Sequence, residues 1–396
     1  MASARAELET GYRGLKDWAL GSAAPLWAQK GVDRVRGSFV ERLDHDCREL
    51  VVPRRARLVA RQIYSFATLE RLGWRGTDDL VAFGFDALTA GFAMADGEVV
   101  PERTPEGTVA RRMHDLYDVA FVLFALATVA TRHTDRHRSI ILATAIRTRL
   151  EAHRHDRGGF EAGLAGALPL EANPHMHLME ASLAWAAIPG VDAGWNALAD
   201  EIATLCLHRF IDAKTGRLRE FYDADWHPMA GDAGRIVEPG HQFEWAWLLT
   251  RWGMARERPD ALAVARRLVH GAEREGVDRR GIAFNALNDD GTLRDGNARL
   301  WPQTERIKGW IALAAAASDT DAREVAERQV AAAMRGLNRF LDTRMPGLWF
   351  ETIGVDDRPR EEEVRASSLY HILCALDEVD RYIVLSDACV VAPDQP

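Results

Sequence analysis

The chain has 396 residues, 47% of them hydrophobic, and carries 50 Lys and Arg against 59 Asp and Glu for a net charge of −9. Both signs are scattered along its length, which argues against nucleic acid as a partner, since that calls for a concentrated basic face. Abundant Ala, Leu, Arg and Glu, scarce strand-like alternation and the lack of a Ser/Pro-rich or charge-run linker point to one all-α domain over residues 1–396.

At the N-terminus, Arg5, Glu7 and Glu9 stand where a signal peptide would need an apolar run. The longest apolar stretch, Val119 to Ala130, is too short to span a bilayer. Cys47, Cys206, Cys374 and Cys389 are far apart and form no Cys-x-x-Cys pair. The expectation is a cytoplasmic, reduced protein with no membrane contact, working as a monomer or homodimer.

Residues 54–72 place Leu58, Ile63, Phe66, Leu69 and Leu72 at near-helical spacing, with Gly73 as a stop. The basic stretch from Pro53 to Arg57 reads as a solvated turn. Arg61 falls inside the apolar helix, so its guanidinium is either paired structurally or held ready for a polyhydroxy or anionic ligand. A second long helix is predicted from about Met113 to Ala130, with Tyr117 one turn before Phe121. On its own Tyr117 would pass for a core residue.

Asn173-Pro174 reads as an N-cap followed by proline at the first helical position. Of His175 and His177, about 200° apart on a helix, one is expected to face the interior and the other not. Glu180 lies three residues after His177 on the same face, and a carboxylate there can fix an imidazole's tautomer, so His177 is the site candidate. A His-x-His pair can also bind metal, but that spacing suits a strand, and no metal is expected.

Pro239-Gly240-His241 repeats the pattern, with Glu244 three residues after the histidine and predicted to orient it. Trp301 and Pro302 precede a helix that carries a buried-looking Glu305. Trp301 suits either stacking on a sugar ring or the core. Ser367 or Ser368 is placed to cap the last helix, leaving His371 in its first turn. Histidines near helix N-termini tend to stay neutral and able to accept protons. No glycine-rich nucleotide loop and no Gly-x-Ser-x-Gly elbow occurs.

Arg61, Tyr117, His177, His241, Trp301 and His371 lie 56, 60, 64, 60 and 70 residues apart. That interval fits one helical hairpin, and the chain holds about six of them. A ring of hairpins bringing one cluster per unit to a shared end assembles a single pocket.

The segments starting at Arg61, Asn173, Glu238, Trp301 and Ser367 together resemble the N-acylglucosamine 2-epimerase superfamily, in order and over most of the chain. The resemblance implies an (α/α)6 barrel acting on free sugars, closest to its mannose and sulfoquinovose isomerase branch. It implies that His177, His241 and His371 line the pocket, with His241 and His371 as the main acid/base pair. Arg61, Tyr117, Asn173, Glu180 and Glu244 match positions that hold substrate or orient histidines, and Trp301 and Glu305 are added as substrate contacts.

The reaction expected is D-mannose to D-fructose through a cis-enediol, with His241 as base and His371 serving ring opening and proton transfer between O1 and O2, or the two with these roles exchanged, and no metal or redox cofactor. A 2-epimerase would use the same residues. An inverting glycoside hydrolase would need two carboxylates about 6.5–9.5 Å apart, and a non-catalytic sugar binder would have no use for three histidines in one cleft.

Overall fold

The computed structural model describes residues 3–391 apart from 77 and 133, with side chains to residue 387; the Cys389 side chain lies outside them. Helices α1 (Ala4–Trp18) and α2 (Ala24–Lys30) precede α3 (Ala56–Leu72) and α4 (Leu80–Gly91). Then come α5 (Leu116–Ala130), α6 (Arg136–Leu150), α7 (Ala172–Ala186), α8 (Gly194–Leu205), α9 (Pro239–Ala255) and α10 (Pro259–Gly276). Helices α11 (Leu300–Ala315), α12 (Thr320–Leu341) and α13 (Ser368–Val391) complete the order.

Helices α3, α5, α7, α9, α11 and α13 pack side by side, and α13 returns to α3, closing an inner ring. Helices α4, α6, α8, α10 and α12 each back the inner helix before them, and α1 fills the last outer place against α12 and α13. This is an (α/α)6 barrel. The division follows from sequence pattern. In α5 nearly every residue from Leu116 to Ala130 is buried, as a helix enclosed on all sides requires. Outer α10 instead buries one stripe, Ala261, Ala265, Leu268, Val269 and Ala272. Among the described residues no helix is long and apolar enough to cross a membrane.

Some local expectations shift. Gly73 does end α3, in a left-handed conformation with φ 112°. Helix α5 starts at Leu116 rather than Met113, because the Asp115 side chain accepts from the Asp118 N–H and sets the N-cap. Asn173 is not an N-cap: α7 begins at Ala172, two residues earlier than expected, with Glu171 in the N-cap position. Ser368 opens α13, but its hydroxyl donates to Glu351 at 2.9 Å. His175 and His177 are both buried, His175 by tying two loops together: its Nε2 accepts from Phe160 N–H at 3.0 Å and its Nδ1 meets Glu171 O at 2.8 Å.

The sequence gives no sign of the short strands at one end of the barrel. Arg54–Arg55, Leu170–Glu171, Ile236–Val237, Ala298–Arg299 and Val364–Arg365 each lead into an inner helix, and each pairs antiparallel with a strand from another connection. Two or three residues are too few to show a period of two. The strands form a collar that fixes where the first turns of the inner helices point.

Candidate active site

Inside this collar lies a cavity of about 230 Å³. Each inner helix contributes from its N-terminal half one of Arg61, Tyr117, His177, His241, Trp301 and His371, and all six line it. Asn173 and Glu244 line it as well. The buried Asn173 Oδ1 has no partner among the described residues and is free to accept from a sugar hydroxyl. Glu180 and Glu305, expected as substrate contacts, sit outside the lining; Glu180 instead holds His177, the other role expected of it, and Glu305 holds His371.

Each histidine turns Nδ1 toward a carboxylate and leaves Nε2 for the cavity. His177 Nδ1 meets Glu180 Oε2 at 3.2 Å, and Glu180 also accepts from the Tyr370 hydroxyl. His371 Nδ1 meets Glu305 Oε1 at 2.9 Å. His241 Nδ1 meets Glu220 Oε2 at 2.8 Å, with Glu238 at 3.9 Å. The expectation that Glu244 orients His241 is therefore corrected. Glu244 turns instead to the buried Lys308, whose Nζ lies 3.4 Å from Glu244 Oε1, pairs with Glu305 Oε2 and sits 4.0 Å from the centre of the Trp247 ring.

These surroundings split the histidines by charge. Burial lowers His177 to about 3, helped by the positive charges of Arg61 and Lys308. Burial, then Arg61 and Lys308, also hold His371 well below its usual value. His241 goes the other way. Burial pulls it down, but Glu220 and Glu238 outweigh that and raise it to about 9. The reading of three neutral imidazoles thus fails for His241, which is an imidazolium at neutral pH beside a neutral His371.

Which atom holds the proton between His371 and Glu305 decides what Nε2 of that histidine does. Burial, then Glu244, raise the Glu305 carboxyl well above its usual range, and Lys308 against its other oxygen opposes them. An ammonium in direct contact with Oε2 and an imidazole nitrogen at Oε1 place two donors on one carboxylate, an arrangement that keeps the proton on Nδ1 and leaves the Nε2 lone pair free.

Arg61 Nη2 donates to the Tyr117 hydroxyl at 2.8 Å, and its guanidinium lies 4.1 Å from the centre of the Phe121 ring. Among the described residues it has no carboxylate partner, and its buried Nε has no acceptor. An unneutralised guanidinium at the cavity wall is suited to negative charge that develops on a sugar oxygen. The Trp301 ring packs against both acid/base candidates, 4.9 Å from the His241 ring centre and 5.9 Å from that of His371. Gly240 makes this possible: a Cβ there would fall 2.5 Å from the Trp301 ring.

His177, Glu180 and Glu244 offer ligand atoms within 4.8 Å of one another, a grouping that a divalent cation could use. The Lys308 ammonium already supplies positive charge to Glu244. The donor set is thus more nearly balanced than an open metal site would be.

Two partners escaped sequence reasoning. Glu220 lies 21 residues before His241 and reaches it only because Phe221–Tyr222 pairs with Leu170–Glu171. Lys308 carried one signal, its place three residues after Glu305 inside an apolar helix.

The profile of the family described as N-acylglucosamine 2-epimerase (GlcNAc 2-epimerase) matches residues 37–375. A protein named mannose-6-phosphate isomerase from Rhizobium meliloti is 41% identical over 377 residues, covering 92% of this chain and 96% of that one. A D-mannose isomerase from Thermobifida fusca is 33% identical over 173 residues, covering 40% of this chain and 42% of that one. Among solved structures, cellobiose 2-epimerase from Bacillus thermoamylovorans superposes with a TM-score of 0.83 at 16% identity, covering 94% of this chain and 100% of that one, which speaks to the fold.

Proposed function

Because the chain belongs to the N-acylglucosamine 2-epimerase family, and is accordingly a sugar isomerase or epimerase, we propose that it interconverts D-mannose and D-fructose through a cis-enediol. The observation that carries this reading is the pairing of a neutral His371 with a protonated His241 on either side of Trp301, next to an unneutralised Arg61.

Ring opening requires a proton to leave O1 and one to reach O5, and a base and an acid facing one cavity supply both. In the open chain, His371 Nε2 takes the proton from C2. Charge then moves onto O1, where Arg61 and the His241 imidazolium stabilise it, and His241 protonates O1 to give the enediol. The now neutral His241 takes the O2 proton as His371 returns its proton to C1, which completes the ketose and restores both histidines to their starting charge states. The charge states thus favour His371 as the carbon base and His241 as the oxygen acid, the second of the two assignments that the sequence leaves open. A positioned acid or base contributes about 10²–10⁴-fold.

Glu180, Glu220 and Glu305 serve histidines, and Glu244 faces Lys308. Of the other carboxylates at the cavity, Glu238 pairs with Arg299 and Glu351 accepts from Ser368, so that among the described residues Glu362 stands alone rather than in the free acid pair that a hydrolase needs. Return of the proton to the opposite face of C2 would make the enzyme a 2-epimerase instead.

A second reading, D-mannose 6-phosphate as substrate, is supported by the name of the full-length relative and by Arg299 and Arg365 at the cavity rim. Arg299 pairs with Glu238. The exposed Arg365 guanidinium makes no hydrogen bond among the described residues.

Proton NMR of the purified enzyme with D-mannose, and separately with its 6-phosphate, in D2O tests these readings. Fructose from mannose supports the proposal. Glucose deuterated at C2 makes the enzyme an epimerase, and turnover of the phosphate alone transfers the isomerase reading to that substrate.

A further inference from the structure

Outside the catalytic cavity, a cavity of about 370 Å³ opens between the C-terminal half of α10, the loop around Thr215–Arg217 and the first turn of α9. Its floor is apolar, with Leu268, Ala272 and Leu287. Its rim carries Arg217, Arg266, Arg267 and Arg274 against Glu275, an excess of three positive charges on a chain whose net charge is −9. Arg217 and Arg274 both lean on Glu275, at 2.7 Å each. Arg266 and Arg267 are exposed and make no ion pair or hydrogen bond among the described residues. Many other arginines are paired, Arg219 with two aspartates and Arg280 with two more; what sets Arg266 and Arg267 apart is that two unpaired guanidinium groups stand side by side on one cavity.

We propose that this cavity binds a small organic phosphate, its apolar part on the floor and its dianion between Arg266, Arg267 and Arg274, and that occupancy is felt at His241. Concentrated guanidinium groups suit phosphate because each presents a planar fork of donors. The route inward is short. Gln242 lines the cavity, accepts from Leu218 N–H and donates to Leu218 O, both at 2.9 Å, and so fixes the strand segment that carries Glu220. Gln242 directly follows His241, and Glu220 directly holds it. The end of α10 also presses on the start of α9: a Cβ on Gly276 would fall 2.5 Å from Pro239. A ligand that shifts the end of α10 therefore moves the turn that carries His241. This inference goes beyond the proposed reaction and holds for either sugar substrate.

The test uses phenyl phosphate, which joins one dianion to one apolar face, titrated calorimetrically into the wild-type protein and into Arg266→Ala/Arg267→Ala. Expected is salt-dependent binding to the wild type, weakened at least tenfold in the double variant, whose melting temperature stays unchanged. No binding to the wild type, or equal binding to both proteins as a phosphate in the catalytic cavity would give, overturns the site. The link to His241 is read from the alkaline limb of the pH–rate profile. Saturating phenyl phosphate shifts that limb in the wild type and not in the double variant, and an unmoved limb with binding intact overturns the link.

Discussion

Glu220 holds His241 from a different connection of the barrel, its Oε2 lying 2.8 Å from Nδ1 in a fully buried contact. The carboxylate does two things at once. It orients the ring so that Nε2 faces the cavity, and it raises the imidazole against the opposing pull of burial.

Glu220→Gln keeps the shape and removes the charge. The alkaline limb of kcat/KM, expected near pH 9 where His241 loses its proton, moves toward neutrality. The rate at pH 8 falls by roughly 10²-fold, within the range of a lost acid. Glu244→Gln moves the limb less, because Glu244 faces Lys308 and ranks behind Glu220 and Glu238 among the charges that raise His241. A pH–rate series on the two variants checks this, and an unmoved limb in Glu220→Gln removes Glu220 from the assignment.

Gly240→Ala tests the packing between the acid and the base. The added Cβ meets the Trp301 ring at 2.5 Å, so the ring has to shift, and with it the spacing of His241 and His371. A displacement of about 1 Å in a catalytic constellation can cost around 10²-fold. Expected is a fall in kcat of roughly tenfold or more with the circular dichroism spectrum unchanged.

The six residues in step were legible because each marks the first half of an inner helix, and a hairpin repeat leaves that mark in sequence at a constant interval. His177 and Glu180 were legible because i and i+3 share a face whatever the tertiary structure. Applying that local rule to His241 misassigned its carboxylate. Glu244 also shares the face, but the collar brings Glu220 closer, and no local pattern reports a pairing between strands two residues long. The charge of His241 was illegible for the same reason. A helix N-terminus favours neutral imidazole, yet Glu220 from another connection, joined by Glu238 at the N-cap of the same helix, outweighs it.

Stability carries opposite signs for two buried histidines. His175 is lowered to about 4 by burial, so as pH falls below 6.5 the unfolded chain takes up a proton that the folded one refuses. About 3 kcal/mol is lost between pH 6.5 and 4 from this group alone. His241 is raised to about 9, so its contribution is complete below 6.5 and disappears as pH rises through 9. Urea unfolding at pH 5, 7 and 9.5 is expected to show a maximum near neutrality, and His175→Gln flattens the acid side.

Chelation addresses His177, Glu180 and Glu244 together. With Lys308 supplying positive charge to Glu244, dialysis against EDTA is expected to leave turnover and melting temperature unchanged. Loss of activity restored by a divalent ion would instead assign that ion to these three ligands.

Lys308 is the harder test of the proton assignment, because its effect on His371 is indirect. Its ammonium pairs with Glu305 Oε2, and Glu305 Oε1 meets His371 Nδ1. In Lys308→Met the force that lowers Glu305 is gone while burial and Glu244 still raise it, so Glu305 takes the proton and donates it to Nδ1. Nε2 then carries the ring hydrogen and can no longer accept one from carbon. Turnover at pH 7 falls by about 10²-fold or more, and removing one partner of a buried ion pair costs about 3–5 kcal/mol of stability. The separating readout is the pH profile. Activity of the folded variant rises with pH as Glu305 ionises, whereas damage that is only structural lowers it at every pH.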